Sequence, residues 1–288
     1  MPAFAELFIG GLMSGLVVGL SALAITLVFG IARFPNAATG DVMTAGAYIA
    51  LSVAALTDSV IIGGLFGALT GGALAILAYL LVFRKLSGRS SVTNLLASIG
   101  IAFFLRAVIG VGFGHQQQVF QLPLERPWRI LDVRFQPADL NLVIVAVIAL
   151  SVVFLILYAT PIGRCMRAVA DDPGLAKVSG ISPSRIMIAL WVLAGSVSAV
   201  AGVMYGIKTV VTPEMGWDML LPAFAAAILG GIGNPVGAIC AGILLGTLQE
   251  VATPLVGFTY KIAISFFVLL LVLLVRPRGL FGQIEGVR

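Results

Sequence analysis

Apolar residues come in runs of helix length along nearly the whole chain, at 7–31, 37–57, 60–83, 92–112, 139–160, 186–207, 219–232, 235–250 and 258–276. A helix of about 20 residues matches the roughly 30 Å hydrocarbon core of a bilayer, because each residue rises about 1.5 Å. Barrel strands would instead alternate over short segments. The pattern predicts an all-α integral membrane protein, a polytopic bundle of about eight to ten spans. Polar residues gather between the runs, most densely at 159–185, where Arg164, Arg167, Asp171, Asp172, Lys177 and Arg185 interrupt the apolar chain.

Composition agrees: 60% of residues are hydrophobic and 10% charged, and the mean hydropathy of +1.13 leaves no water-facing surface for a soluble domain. Lys and Arg dominate three connections: Arg84, Lys85 and Arg89; the island at 159–185; and the tail with Arg276, Arg278 and Arg288. All three are expected to face the cytoplasm. The mixed-charge loop 112–139 then faces outward, and parity places the N-terminus outside. Residues 219–250 must cross twice or dip in and return, broken at the sequence GGIGNP, 230–235. The net charge of +5 reads as orienting loop charge, not as a nucleic-acid footprint. Cys165, Cys240 and the single His115 form neither a disulfide framework nor a metal site. With Glu6 early and no basic residue before Arg33, the start does not resemble a cleaved signal peptide.

The chain also repeats itself. A shift of 176 aligns Gly19 with Gly195, 29–31 with 205–207, and Gly40, Met43, Ala47 and Tyr48 with Gly216, Met219, Ala223 and Phe224. A shift of 170 aligns Gly63, Gly67, Ala68 and Gly72 with Gly233, Gly237, Ala238 and Gly242, and one of 163 aligns Ile99, Ile101, Phe103 and Phe104 with Ile262, Ile264, Phe266 and Phe267. The matches keep their order. With the topology above, paired segments run in opposite directions, which is the pattern of alternating-access transporters with broken helices and a midplane site. The expected organisation is one transmembrane domain, 1–288, with repeat halves at 7–112 and 186–276, a linking span and loop at 113–185 and a tail at 277–288. Gly11, Gly15 and Gly19, then Gly63, Gly67 and Gly71, and Gly242 with Gly246, recur every fourth position and predict close helix packing.

Several function classes drop out. No G-x-x-x-x-G-K-[ST] occurs, so the chain is not expected to be an ATPase. Asp41, Arg106, Glu250 and Lys261 fall near run ends, which disfavours ion coupling, although backbone-built sodium sites leave it open. No paired carboxylates or Ser/His set lies within a span, so no enzyme activity is expected. In the island, Pro161 and Gly163 should break the incoming helix, and short helices should follow at 164–170 and 173–178. Pro173 would lie in the first turn, with Asp171 or Asp172 as N-cap and Gly180 as terminator. The island is then either a rigid lever for a partner or a basic loop that holds orientation.

The segment TPIGRCMRAVADDPGLAKVSGI, 160–181, resembles the cytoplasmic loop of permease subunits of the branched-chain amino acid ABC importers, T-x-x-G-R-x-x-R-A-x-x-x-D followed by A-x-x-x-G-I. NAATGDVMTAGAY, 36–48, is similar to the family's N-F-A-H-G-E motif, and AAILGGIGNPVGAICAGILLG, 226–246, to its A-x-x-G-G-I-G-x-x-x-G-A-x-x-G-G block. The resemblance implies an inner-membrane, multi-pass permease, and a cytoplasmic coupling helix seated on an ATPase, with Gly163, Arg164, Arg167, Asp171, Asp172, Ala176 and Gly180 at that joint. Asn36, Gly40, Asp41, Thr44 and Tyr48 would line the path in one half, and Phe224, Gly230, Gly231 and Gly233 in the other. It implies two cytoplasmic ATP-binding subunits, a second related permease or a second copy of this chain, a soluble substrate-binding protein docked at 112–139, and a small solute. ATP and Mg²⁺ would be used by the partners and no cofactor by this chain, which is embedded in lipid and meets no nucleic acid. Ala38, Thr39 and Asp41 depart from the motif's aromatic, histidine and glutamate, which leaves urea or a short amide as rival solutes. A stand-alone carrier or channel and a structural membrane subunit are the rival classes. Duller roles exist too: Asn36 and Asp41 as caps of the second span, Tyr48 and Phe224 as packing aromatics, and Trp128, Trp191 and Trp217 as interface markers.

Overall fold

The structure is a computed structural model that describes residues 2–122, 128–130, 133–135, 137–257, 260–277 and 279–282. Arg278 and Arg288 of the basic tail, and parts of the loop 112–139, lie outside the described residues. The helices are α1 (Pro2–Ala32), α2 (Ala38–Thr57), α3 (Val60–Ala78), α4 (Ser91–Phe113), α5 (Pro137–Phe154), α6 (Pro161–Asp171), α7 (Pro173–Val178), α8 (Pro183–Lys208), α9 (Met215–Gly230), α10 (Pro235–Val256) and α11 (Lys261–Val275). A π turn at Tyr79–Phe83 extends α3, and another at Leu155–Ala159 extends α5. Among the described residues, seven helices are long and apolar enough to cross a membrane. Each of the nine apolar runs became a helix. Among the described residues two short strands are not helical: β1 (Trp128–Ile130) and β2 (Val133–Phe135) pair antiparallel, Trp128 opposite Phe135.

Local chemistry sets several starts. Ser59 accepts from the Ile62 amide at 3.4 Å, Ser90 from Thr93 at 3.2 Å, and Asn234 from Gly237 at 3.1 Å with Pro235 following as first helical residue. α2 is different. Ala37 already has helical backbone and no capping side chain, and the cap is Asn36, as expected, whose Oδ1 takes the Ala38 amide; Asp41 does not cap.

The described chain forms two compact units that cut across the sequence halves: 1–26, 122–147 and 221–288 in one, 27–121 and 148–220 in the other. In the first, α1 lies against α10. A Cβ on Gly11 would stand 2.7 Å from the Thr247 backbone, and one on Gly242 would run into the backbone of Gly19. The break at 230–235 is a built turn: Gly231 and Gly233 have φ of +97° and +84°, and the tail closes on it through Leu280 N to Leu229 O at 2.7 Å and Asn234 Nδ2 to Phe281 O at 3.2 Å. That contact brings the tail at 280–281 onto the break.

In the second unit, α2, α3 and α8 form the core. A Cβ on Gly71 would stand 2.5 Å from the Gly195 carbonyl oxygen, and one on Gly202 would strike Met43. The repeat thus reappears as a contact: Gly19 against Gly242 in one unit, its counterpart Gly195 against Gly71, next to the counterpart Gly72, in the other. Gly40 and Gly216, repeat mates themselves, meet backbone to backbone. Trp191 does not mark an interface. It is 2% exposed, stacked on Phe83 at 4.7 Å and beside Tyr79 and Phe34.

Gly195→Ala should lower the detergent unfolding midpoint, at a cost of about 1–3 kcal/mol for overpacking. Gly100→Ala, at a helical glycine with nothing within 4 Å of the added carbon, should leave the midpoint unchanged or raise it by up to about 1 kcal/mol of helix propensity. Equal midpoints for the two variants would contradict this packing.

Candidate translocation segment and coupling island

Five of the residues assigned to the path by resemblance lie on or beside the first half of α2. Asn36 Oδ1 accepts from the Ala38 amide at 3.1 Å, while the Ala37 amide donates to Ser98 Oγ at 3.0 Å. Ser198 of α8 donates to the Thr39 carbonyl at 2.7 Å. The Thr44 hydroxyl donates to Gly40 O at 3.2 Å and accepts from the Gly216 amide at 3.0 Å, tying the start of α9 to α2 where the two glycines cross. Tyr48 is buried and packs on Phe113 at 4.8 Å. A narrow cavity beside this segment is lined by Asn36, Thr39, Trp191 and Ser198 among small apolar residues. Phe224, half-buried, and Gly230, Gly231 and Gly233 belong to the other unit.

Asp41 is the residue whose environment departs most from expectation. It is fully buried, and Arg106 of α4 donates to both its oxygens, Nε to Oδ1 at 3.1 Å and Nη2 to Oδ2 at 3.3 Å. The guanidinium lies over the rings of Trp217 at 5.0 Å and Phe103 at 5.3 Å. Arg106 is about two turns inside α4, so this charge sits within a span and not at its end. A planar, weakly hydrated guanidinium suits that place: it answers a carboxylate with two bonds and an aromatic face with its own. In the other unit, Glu250 accepts from Ser14 at 2.8 Å and from Lys261 at 2.6 Å, and Gln249 donates to Ser265.

The island folds as two helices. Thr160, with extended backbone, precedes Pro161, which opens α6; Thr160 accepts from the Gly163 amide at 3.4 Å. Gly163 therefore breaks nothing. It lies inside α6, where any side chain would strike the Leu157 carbonyl. Asp172, not Asp171, caps α7, accepting from Gly174 N at 2.7 Å and Leu175 N at 3.0 Å. Gly180, with φ of +83°, follows the helix end. Arg167 donates to Leu157 O and lies 5.6 Å over the Tyr158 ring, so it braces the island on its own chain, while Arg164 points to solvent. Ala176 is buried and carries the packing of α7; its neighbours Leu175 and Val178 are 65% and 87% exposed.

Sequence reasoning did not pair Asp41 with Arg106, although an arginine inside an apolar run signals a needed partner. It also passed over Arg33, whose Nη2 donates to Ala170 O at 2.7 Å and Asp171 O at 3.2 Å.

Arg106→Leu should destabilise by roughly 3 kcal/mol, because it leaves the Asp41 carboxylate buried and unpaired, and the double variant with Asp41→Asn should recover much of that loss. Urea or thermal unfolding in detergent measures both; a double variant no more stable than Arg106→Leu would refute the pairing argument.

Comparison with known proteins gives the family and the fold. A solved ABC transporter of metal-chelate type, in an inward-facing conformation, shares the fold at a TM-score of 0.50 and 15% identity, covering 91% of this chain and 85% of that one. The high-affinity branched-chain amino acid transport permease BraD of Pseudomonas aeruginosa is 28% identical over 98% of this chain and 97% of its own length. LivH of Escherichia coli K12, with the same description, is 28% identical over 98% and 96%. The family model for the permease component of branched-chain amino acid transport systems matches residues 7–274, and the chain belongs to that family.

Proposed function

We propose that this chain is a membrane-spanning subunit of an ATP-powered importer in the inner membrane, carrying branched-chain amino acids or a closely related small amphipathic solute by alternating access. The observation that carries the reading is α7. It is a six-residue helix fixed at both ends by Asp172 and Gly180, presenting Leu175 and Val178 outward from a chain that has no phosphate-cradling loop of its own. Two exposed apolar side chains at (i, i+3) on a polar, basic island fit a partner's groove better than water. The partners on this reading are two ATP-binding subunits at α6 and α7, which use ATP and Mg²⁺, a second related permease or a second copy, and a soluble binding protein at 112–139. The names of the full-length relatives support the solute class. Urea or a short amide is the second reading, favoured by Ala38, Thr39 and Asp41, which replace the aromatic, histidine and glutamate of the family motif.

Replacing both Leu175 and Val178 by Asp should weaken association with the ATPases by roughly tenfold or more and abolish ATP-driven uptake while the chain stays in the membrane. Asp172→Ala should have a milder effect, through loss of about 1 kcal/mol of cap energy. Co-purification and uptake of labelled leucine, with unlabelled urea or leucine as competitors, test these expectations. Undiminished uptake in the double variant would sink the docking role of α7, and competition by urea alone would move the solute to the second reading.

A further inference from the structure

Arg33 ends α1 in an unusual way. Its φ is +59°, the left-handed region that glycine enters freely and residues with a Cβ avoid. Its amide still closes the last turn, on Phe29 O at 3.0 Å, so a glycine would end the helix equally well and without strain. What a glycine could not do is reach α6. The Arg33 guanidinium donates to Ala170 O and Asp171 O, the final carbonyls of α6. These acceptors have no partner further along that helix, and they sit at the negative end of its dipole. The next residue, Asp172, caps α7.

On its other side Arg33 is joined to the path segment. Phe34 is buried against Phe83 at 5.1 Å and Trp191 at 6.3 Å. Asn36 follows, then the first turn of α2 with Gly40 on Gly216 and Asp41 on Arg106. The elbow between α1 and α2 is therefore anchored to the aromatic core and, through one side chain, to the junction of α6 and α7. The island has other attachments, to α8 and to the π turn before it, so losing Arg33 would cut the link to the elbow without freeing the island.

We infer that Arg33 is a positioning residue of the transport cycle, transmitting displacement of the α6–α7 island to the first turn of α2. The inference rests on the importer reading above. It assigns the left-handed arginine a mechanical reason: the strain is kept because only that backbone position and that side chain together bridge the two segments.

The test is Arg33→Gly, which relieves the backbone and removes the bridge, with Arg33→Gln as a second variant. Each is reconstituted in vesicles with the partner ATPases and binding protein. Leucine moved per ATP hydrolysed is expected to fall by roughly threefold or more, with ATP hydrolysis and assembly retained. Spin labels at Leu56 in α2 and Lys177 in α7, both exposed, give a readout that needs no solute: the distance change on adding ATP and vanadate should shrink in both variants. A wild-type ratio and a wild-type distance change in Arg33→Gly would overturn the inference; should that variant fail to assemble, the same result in Arg33→Gln would do so. A wild-type chain that moves leucine without ATPases would instead overturn the importer reading itself and the inference with it.

Discussion

Helices surrounded by lipid gain nothing from burying apolar side chains against one another, because the lipid tails are equally apolar. They associate where backbones come close enough for dense van der Waals contact, and only glycine and alanine permit that. Both compact units depend on this constraint. α1 meets α10 along Gly11, Gly15 and Gly19; α8 meets α3 and α2 along Gly195, Ala199 and Gly202. The same register of small residues serves both contacts, since Gly19 and Gly195 are repeat mates. At each of these glycines a single added carbon would push two backbones apart.

The buried charges are placed where this packing can satisfy them, although Thr26 Oγ1, Tyr48 Oη and Trp191 Nε1 are buried without a hydrogen-bond partner among the described residues. The Asp41 and Arg106 charges would each be costly alone in the bilayer, and together they stitch α2 to α4 under Trp217. Outside the spans, the arginines answer main-chain carbonyls that helix ends leave open: Arg167 on Leu157 O before α6, Arg33 on Ala170 O and Asp171 O after it. The Asp172 cap, the left-handed Gly180 and these two guanidiniums keep α6 and α7 rigid.

The architecture was legible in one dimension wherever a local rule decides it. Run length read out all nine apolar helices, and Pro161, Pro173 and the GGIGNP break punctuated the chain where the structure does. The positions that mislead are those decided by distant neighbours. Trp191 looks like an interface marker, yet it is enclosed by Tyr79, Phe83 and Phe34, brought from two other segments. Gly163 looks like a helix breaker, yet it is a point of close approach to Leu157. Ala176 matches a coupling motif, yet it faces inward, leaving Leu175 and Val178 outside.

By itself the sequence determined that this protein lives in a membrane, how many apolar helices it builds, where they break, and that two halves share one pattern. Hydropathy, proline geometry and cap chemistry act over a few residues and do not depend on the rest of the fold. Tertiary structure alone decided which halves interleave, that Asp41 answers Arg106 and not the start of its own helix, and that Arg33 reaches across 137 positions to the end of α6. Those outcomes follow from which helices approach within a carbon's width, and a linear pattern of glycines states only that such an approach is possible.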